Sequence, residues 1–219
     1  MSLRYVALGD SYTIGTSLGN PAGRWPYQLV AALRIDGSAG DGLLRRDLEL
    51  VANLGVNGYT TADVIRDELP ALEALRPEFA SLLIGVNDVV QGVTLPRYQA
   101  RAAEVLDALS AQLAPNRIVT VSTPDYTVTP QGTAYGEPAV QAAAIRAANR
   151  ILAGLAASRG IAFVDIHDLS LRAAVDPSLV ADDGLHPSAA QYALWVARIA
   201  TVVRALLDGP PAGPPPDPG

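Results

Sequence analysis

Five short apolar runs, at 3–9, 47–54, 79–85, 117–122 and 161–166, recur along the chain with segments of helical periodicity between them. That alternation narrows the fold more than anything else in the sequence. The runs are rich in β-branched residues and continuously apolar, so each strand expects burial on both faces, as in a parallel sheet covered by helices. Helices are predicted over 25–34, 60–76 with a break at Pro70, 97–113, 138–158 and 188–207, and the third carries Ala102, Val105, Leu106, Leu109 and Leu113 at helical spacing. The expected fold is α/β, a three-layer α/β/α sandwich around a central, mostly parallel five-stranded sheet, as a single domain over residues 1–208. Pro and Gly dominate 209–219, where pyrrolidine rings forbid a helix and little apolar surface is left to pack, so this tail is expected to be disordered or polyproline-like. A second irregular stretch, 122–138, is interrupted by Pro124, Pro130, Gly132, Gly136 and Pro138. Connections of that length inside a compact domain often serve function.

Composition removes several chemistries. With no cysteine the chain has no disulfide, thiolate nucleophile or cysteine metal site. All 16 basic residues are arginine, which excludes Schiff-base and Ser-Lys catalysis. His167 and His186 are the 2 histidines, the side chains that titrate near neutral pH when unperturbed. Two histidines without cysteine make a poor zinc site, and neither metal nor cofactor is expected. A formal net charge of -6 speaks against a nucleic-acid partner, which would favour a basic face. No uninterrupted apolar run reaches the roughly 18 residues of a membrane span, and Met1-Ser2-Leu3-Arg4 leads into the first strand without a cleavage site. The expectation is no stable membrane insertion, with a cytoplasmic location if the chain is whole and secretion if a leader preceded it. Oligomeric state leaves no mark in the sequence.

In open parallel sheets, ligands bind outside the carboxyl ends of the strands. Four motifs follow predicted strands: Gly9-Asp10-Ser11-Tyr12, Asn53-Leu54-Gly55-Val56-Asn57-Gly58, Gly85-Val86-Asn87-Asp88 and Asp183-Gly184-Leu185-His186. Gly, Asp and Ser are also ordinary turn residues, so the first motif acquires chemical meaning only if a base can take the Ser11 proton. An Asp-x-x-His turn can supply one, with Asp183 holding one ring nitrogen of His186 and aiming the other across the cleft. A local turn and helix cap is the competing explanation. Acyl transfer further needs donors aimed at a developing oxyanion, and the candidates are the Ser11 N–H, the Gly58 N–H and the Asn87 side-chain amide. Gly55 and Gly85 read as close-packing glycines, Asp88 as a helix cap, His167 as structural and Asp182 as a solvated loop charge. Tyr12, Val89, Tyr126 and Tyr135 are candidates to line a substrate pocket.

Taken together, the four blocks, in this order from residue 9 to residue 187, resemble those of the SGNH/GDSL hydrolase family. The resemblance implies a flavodoxin-like sheet and metal-free hydrolysis of carboxylic esters or thioesters through an acyl-enzyme. It maps the family's four name-giving residues onto Ser11, Gly58, Asn87 and His186, with Asp183 completing a Ser-His-Asp triad. Tyr12 departs from the family's older signature, which has leucine there. The expected partner is a small-molecule ester, whose acyl and alcohol parts these motifs do not specify. The rival is a non-catalytic or nucleotide- and phosphate-binding flavodoxin-like module, which leaves Gly58, Asn87 and the Asp-x-x-His turn without a role and lacks a phosphate-loop pattern after the first strand.

Overall fold

Each apolar run forms a strand in the computed structural model, which describes residues 2–35 and 47–209: β1 (Leu3–Gly9), β2 (Leu48–Asn53), β3 (Phe79–Leu83), β4 (Ile118–Val121) and β5 (Ala162–Val164). Every neighbouring pair is parallel, and the order across the sheet is β2-β1-β3-β4-β5. From β1 the chain steps outward to β2 and then returns past β1 to β3. The carboxyl ends of β1 and β3 therefore flank the point where the winding direction reverses, the place such sheets offer to ligands.

The helices are α1 (Ser11–Ile14), α2 (Trp25–Ile35), α3 (Thr61–Asp63), α4 (Leu69–Leu75), α5 (Val86–Val90), α6 (Leu95–Ser110), α7 (Pro138–Ala157), α8 (His167–Ser170) and α9 (Ala189–Asp208). Alternate strand residues point to opposite faces. Tyr5 and Ala7 of β1 join Trp25 and Leu29 of α2 and Tyr192, Trp195 and Ile199 of α9 on one side. Val6 and Leu8 pack with Leu72 of α4, Leu106 of α6 and Leu152 of α7 on the other. These are the three expected layers.

The structure corrects the break expected at Pro70. Between α3 and α4 the helix widens into a π turn, Val64–Glu68, and Pro70 falls in the first turn of α4. The preceding residues are already helical, with the Leu69 amide bonded to the Val64 carbonyl through the π turn. The helix therefore accommodates Pro70 without ending. Likewise α6 begins at Leu95, two residues before its expected start, with Pro96 in its first turn. Residues 122–138 contain two 3-10 turns, Tyr126–Val128 and Gly132–Tyr135, whose tyrosine rings meet edge to face at 5.7 Å. Of the predicted tail, Gly209 caps α9, and 210–219 lie outside the described residues.

Among the described residues, α9 alone is long and apolar enough to cross a membrane, and its buried Tyr192, Trp195, Val196, Ile199 and Val203 place that apolar surface in the core. The same helix holds the turn after β1: the Tyr192 hydroxyl donates to the Tyr12 carbonyl at 2.9 Å, with both residues buried. Removing that donor strands a buried carbonyl. Tyr192→Phe should accordingly lower the unfolding free energy by about 1–3 kcal/mol in urea titrations. An unchanged midpoint would show that the carbonyl finds another donor.

Candidate active site

β1 ends at Gly9, and Asp10 closes the turn into α1 by accepting the Tyr12 amide at 3.0 Å. Ser11 is the first residue of this single-turn helix. Gly15 ends it in the left-handed region (φ 75°), where the Gly15 and Thr16 amides both donate to the Ser11 carbonyl at 3.0 and 3.1 Å. The loop after β2 lies directly against this turn. Asn53 donates from Nδ2 to the Thr13 carbonyl at 2.7 Å, and a Cβ on Gly55 would stand 2.7 Å from the Asp10 carbonyl oxygen and the Ile14 nitrogen. Only glycine permits that backbone approach.

Ser11, Gly58 and Asn87, which all carry hydrogen-bond donors, line one cavity. Neither the Ser11 N–H nor the Gly58 N–H has an acceptor among the described residues. Gly58 adopts φ 82°, which favours glycine, although a Cβ there would meet no atom within 4 Å. Asn87 is held by α5, and its Nδ2 donates one hydrogen to the Tyr59 carbonyl at 2.9 Å, leaving a second hydrogen on the same nitrogen.

The last loop carries Asp183 and His186. It is pinched by an antiparallel bridge between Val180 and Pro187, with the Ala181 amide donating to the His186 carbonyl at 2.8 Å. Asp183 Oδ1 accepts the Leu185 and His186 amides, both at 2.9 Å, while Oδ2 meets His186 Nδ1 at 2.6 Å. A carboxylate at Nδ1 fixes the tautomer in which Nδ1 carries the hydrogen, so in the neutral ring Nε2 is the basic nitrogen. Burial works to raise the Asp183 carboxyl, but hydrogen bonds from Ser17, the His186 ring and the two amides outweigh it. They hold Asp183 well below the usual carboxylate range.

A cavity of about 260 Å³ unites these parts, with Ser11, Gly58, Asn87 and His186 on its wall. Tyr12, Tyr126 and Tyr135 line it too, together with Asn57, Val90 and Leu185. Tyr12 packs under the His186 ring at 5.6 Å between centroids and against Trp195 at 6.4 Å. Val89 does not line the cavity: α5 turns Val86, Asn87 and Val90 toward it, and Val89 falls on the side that packs against the core. Asp183 stands behind His186. His167 lies apart from the cavity, with Nε2 3.5 Å from Asp125 Oδ2, and Asp182 is an exposed loop residue. Asp88 accepts from the Thr61 amide and hydroxyl at 2.9 and 2.6 Å, so it caps α3 across space and not the helix it sits in.

Residues 7–194 match the family described as GDSL-like lipase/acylhydrolase. The chain belongs to that family. This GDSL-family protein is thus a carboxylic ester hydrolase. Its fold is shared with Axe2, an acetylxylan esterase from Geobacillus stearothermophilus (18% identity, 92% of this chain and 94% of that one, TM-score 0.68). It is shared as well with a G-D-S-L-family protein from Desulfitobacterium hafniense DCB-2 (20%, 91% and 99%, 0.69). LAE5, an alpha/beta hydrolase enzyme from the metagenome of Lake Arreo, Spain, is similar too (21%, 94% and 97%, 0.67). No curated protein matches the sequence.

Two residues at the GDSL site lie outside its four motifs. Ser17 donates its hydroxyl to Asp183 Oδ2. It is the centre of Gly15-Thr16-Ser17-Leu18-Gly19, which fits the Gly-x-Ser-x-Gly pattern of an α/β-hydrolase elbow, but an elbow serine stands between a strand and a helix, whereas Ser17 follows α1. Glu68 projects from the π turn and accepts the Gly9 amide at 2.9 Å. Its signal was an acid in a buried i, i+4 stripe, Val64-Glu68-Leu72.

Glu68 and Asp10 are buried carboxyls under the Ser11 turn, and each keeps one oxygen without a hydrogen-bond partner. Burial pushes Glu68 up to about 9, against the Gly9 amide and helped by the charge of Asp10. Burial likewise raises Asp10 to about 8, opposed by the Tyr12 amide and reinforced by Asp88. Both folded-state values lie above those of an unfolded chain, about 4, so the native state retains protons that the unfolded chain has released. Their contribution is complete at low pH and is lost as pH rises through the folded values. Urea unfolding should therefore show stability declining between about pH 5 and 9, and Glu68→Gln, which keeps an acceptor for Gly9, should flatten that decline. Identical slopes in the two proteins would mean that Glu68 is already ionised at neutral pH.

Proposed function

We propose that this GDSL-family hydrolase cleaves short-chain carboxylic esters through a Ser11-His186-Asp183 triad. The observation that carries this reading is the 2.6 Å pairing of His186 Nδ1 with Asp183, on a ring that shares one small cavity with Ser11, Gly58 and Asn87. As Ser11 Oγ attacks the ester carbonyl, His186 Nε2 takes the serine proton, and Asp183 stabilises the imidazolium without itself being protonated. The carbonyl oxygen becomes an oxyanion received by the Ser11 N–H, the Gly58 N–H and the free hydrogen on Asn87 Nδ2. Collapse of the tetrahedral intermediate breaks the bond to the alcohol, which leaves with the proton from His186. Water then attacks the acyl-serine with His186 again as base, releasing the acid and restoring Ser11.

Cavity size supports the short-chain assignment. A volume of about 260 Å³ lies below the usual ligand-pocket range of roughly 300–1,000 Å³. Val86, Val90 and Leu185 offer apolar surface to the acyl chain, beside the buried Tyr126 and the exposed Tyr135.

Steady-state kinetics on p-nitrophenyl esters of increasing chain length test the proposal. Turnover should favour acetate to butyrate over long chains. Ser11→Ala and His186→Ala should each lower kcat by about four to six orders of magnitude, with the double variant little worse, because the groups act as one unit. Asn87→Ala should lower kcat by about 10²–10³ with little change in KM, since its amide binds charge that develops only along the reaction path. Undiminished hydrolysis by Ser11→Ala protein would overturn the triad, and preference for long acyl chains would overturn the substrate size.

A further inference from the structure

We propose that Ser17 is a positioning residue for Asp183, an inference that rests on the triad reading above. The Ser17 hydroxyl donates to Asp183 Oδ2, the same oxygen that meets His186 Nδ1. Asp183 Oδ1 is occupied by the Leu185 and His186 amides, so Ser17 supplies the remaining fixed direction that decides how the carboxylate faces the ring. A carboxylate free to rotate would present its oxygens to the imidazole in several ways, and each would hold the ring differently.

Where Ser17 sits gives the contact its force. Ser17 and Ser11 lie on one turn: the Gly15 and Thr16 amides both bind the Ser11 carbonyl, and the Leu18 amide donates to the Gly15 carbonyl at 3.2 Å. Arg24 backs the turn, its stem filling the space beside Gly15 and its guanidinium donating to the Leu18 carbonyl at 3.2 Å. From the same turn the Thr16 hydroxyl donates to Asn57 Oδ1, beside Gly58. One backbone segment thus carries the nucleophile at residue 11, a strut to the oxyanion loop at residue 16 and a strut to the base at residue 17. Residue 17 spans 166 positions of sequence to reach Asp183.

The backbone pays for this placement. Ser17 has φ 68°, one of two non-glycine residues with positive φ among those described. A side chain in that region costs energy that glycine would avoid, and such residues persist where the surroundings require them. If the turn needed only its shape, glycine would serve better. Ser17 Oγ donates to a carboxylate and not to the imidazole, and Asp183, held well below the usual carboxylate range, is a poor base for activating it as a second nucleophile.

Ser17→Gly and Ser17→Ala, measured beside Asp183→Asn and Ser11→Ala on a short p-nitrophenyl ester, separate the possibilities. The expected result is a kcat lowered about ten- to a hundredfold in both Ser17 variants, the loss typical of a hydrogen bond to a charged group, with KM within about twofold of the parent. Ser17→Gly should melt no lower than the parent, since it sheds the left-handed Cβ. Unchanged kcat in both Ser17 variants, with Asp183→Asn and Ser11→Ala crippled, would overturn the proposal and leave the triad standing. A loss confined to Ser17→Ala and matched by a lower Tm would make Ser17 a backbone residue only, overturning it as well. Full activity in Asp183→Asn or Ser11→Ala would bring down both readings together.

Discussion

A sheet whose strands are apolar on both faces must be covered on both, and that requirement organises the whole molecule. Parallel neighbours need crossover connections, which become the helices that cover the sheet. The strands then all end at one edge. Ser11, Gly58 and Asn87 each come within a few residues of a strand's carboxyl end, and His186 lies in the connection that leads from β5 into α9. Motifs dispersed from residue 9 to residue 187 become neighbours because the sheet leaves them no other side.

Bringing the ends to one edge does not by itself make a site. The loops must also lie close enough for backbone groups to share a cavity. Gly55 achieves this for the β2 loop, which rests on the Asp10 and Ile14 backbone with no room for a Cβ. From α9 the Tyr192 hydroxyl secures Tyr12 from below, while Tyr12 supports the His186 ring. The Ser11 turn is therefore held by the sheet, by the neighbouring loop and by a core helix at once.

Carboxylates in this molecule divide by environment. Asp183 is partly exposed and surrounded by four donors, which hold it ionised beside the His186 ring. Asp10 and Glu68 are buried beneath the same turn with fewer donors, and burial raises both. Similar side chains around Ser11 thereby differ in protonation at neutral pH. Negative charge is concentrated beside His186 and kept low under Ser11.

Much of this was legible in the chain itself. Continuous β-branched runs with helical segments between them determined the three layers and the parallel sheet, since both are local consequences of hydrophobic periodicity. The four motifs likewise marked Ser11, Gly58, Asn87, Asp183 and His186, because special turns, the glycines that allow them and an Asp-x-x-His spacing are written in consecutive residues. Other features were decided only by tertiary structure. Pro70 looked like a break, yet a π turn ahead of it leaves the helix intact, a register choice made where Glu68 meets Gly9. Val89 and Val90 are identical in type, and only the docking of α5 determines which of them faces the cavity. Ser17 is the furthest case: its bond to Asp183 joins residues at opposite ends of the chain, and a contact created by folding leaves no local pattern in either segment.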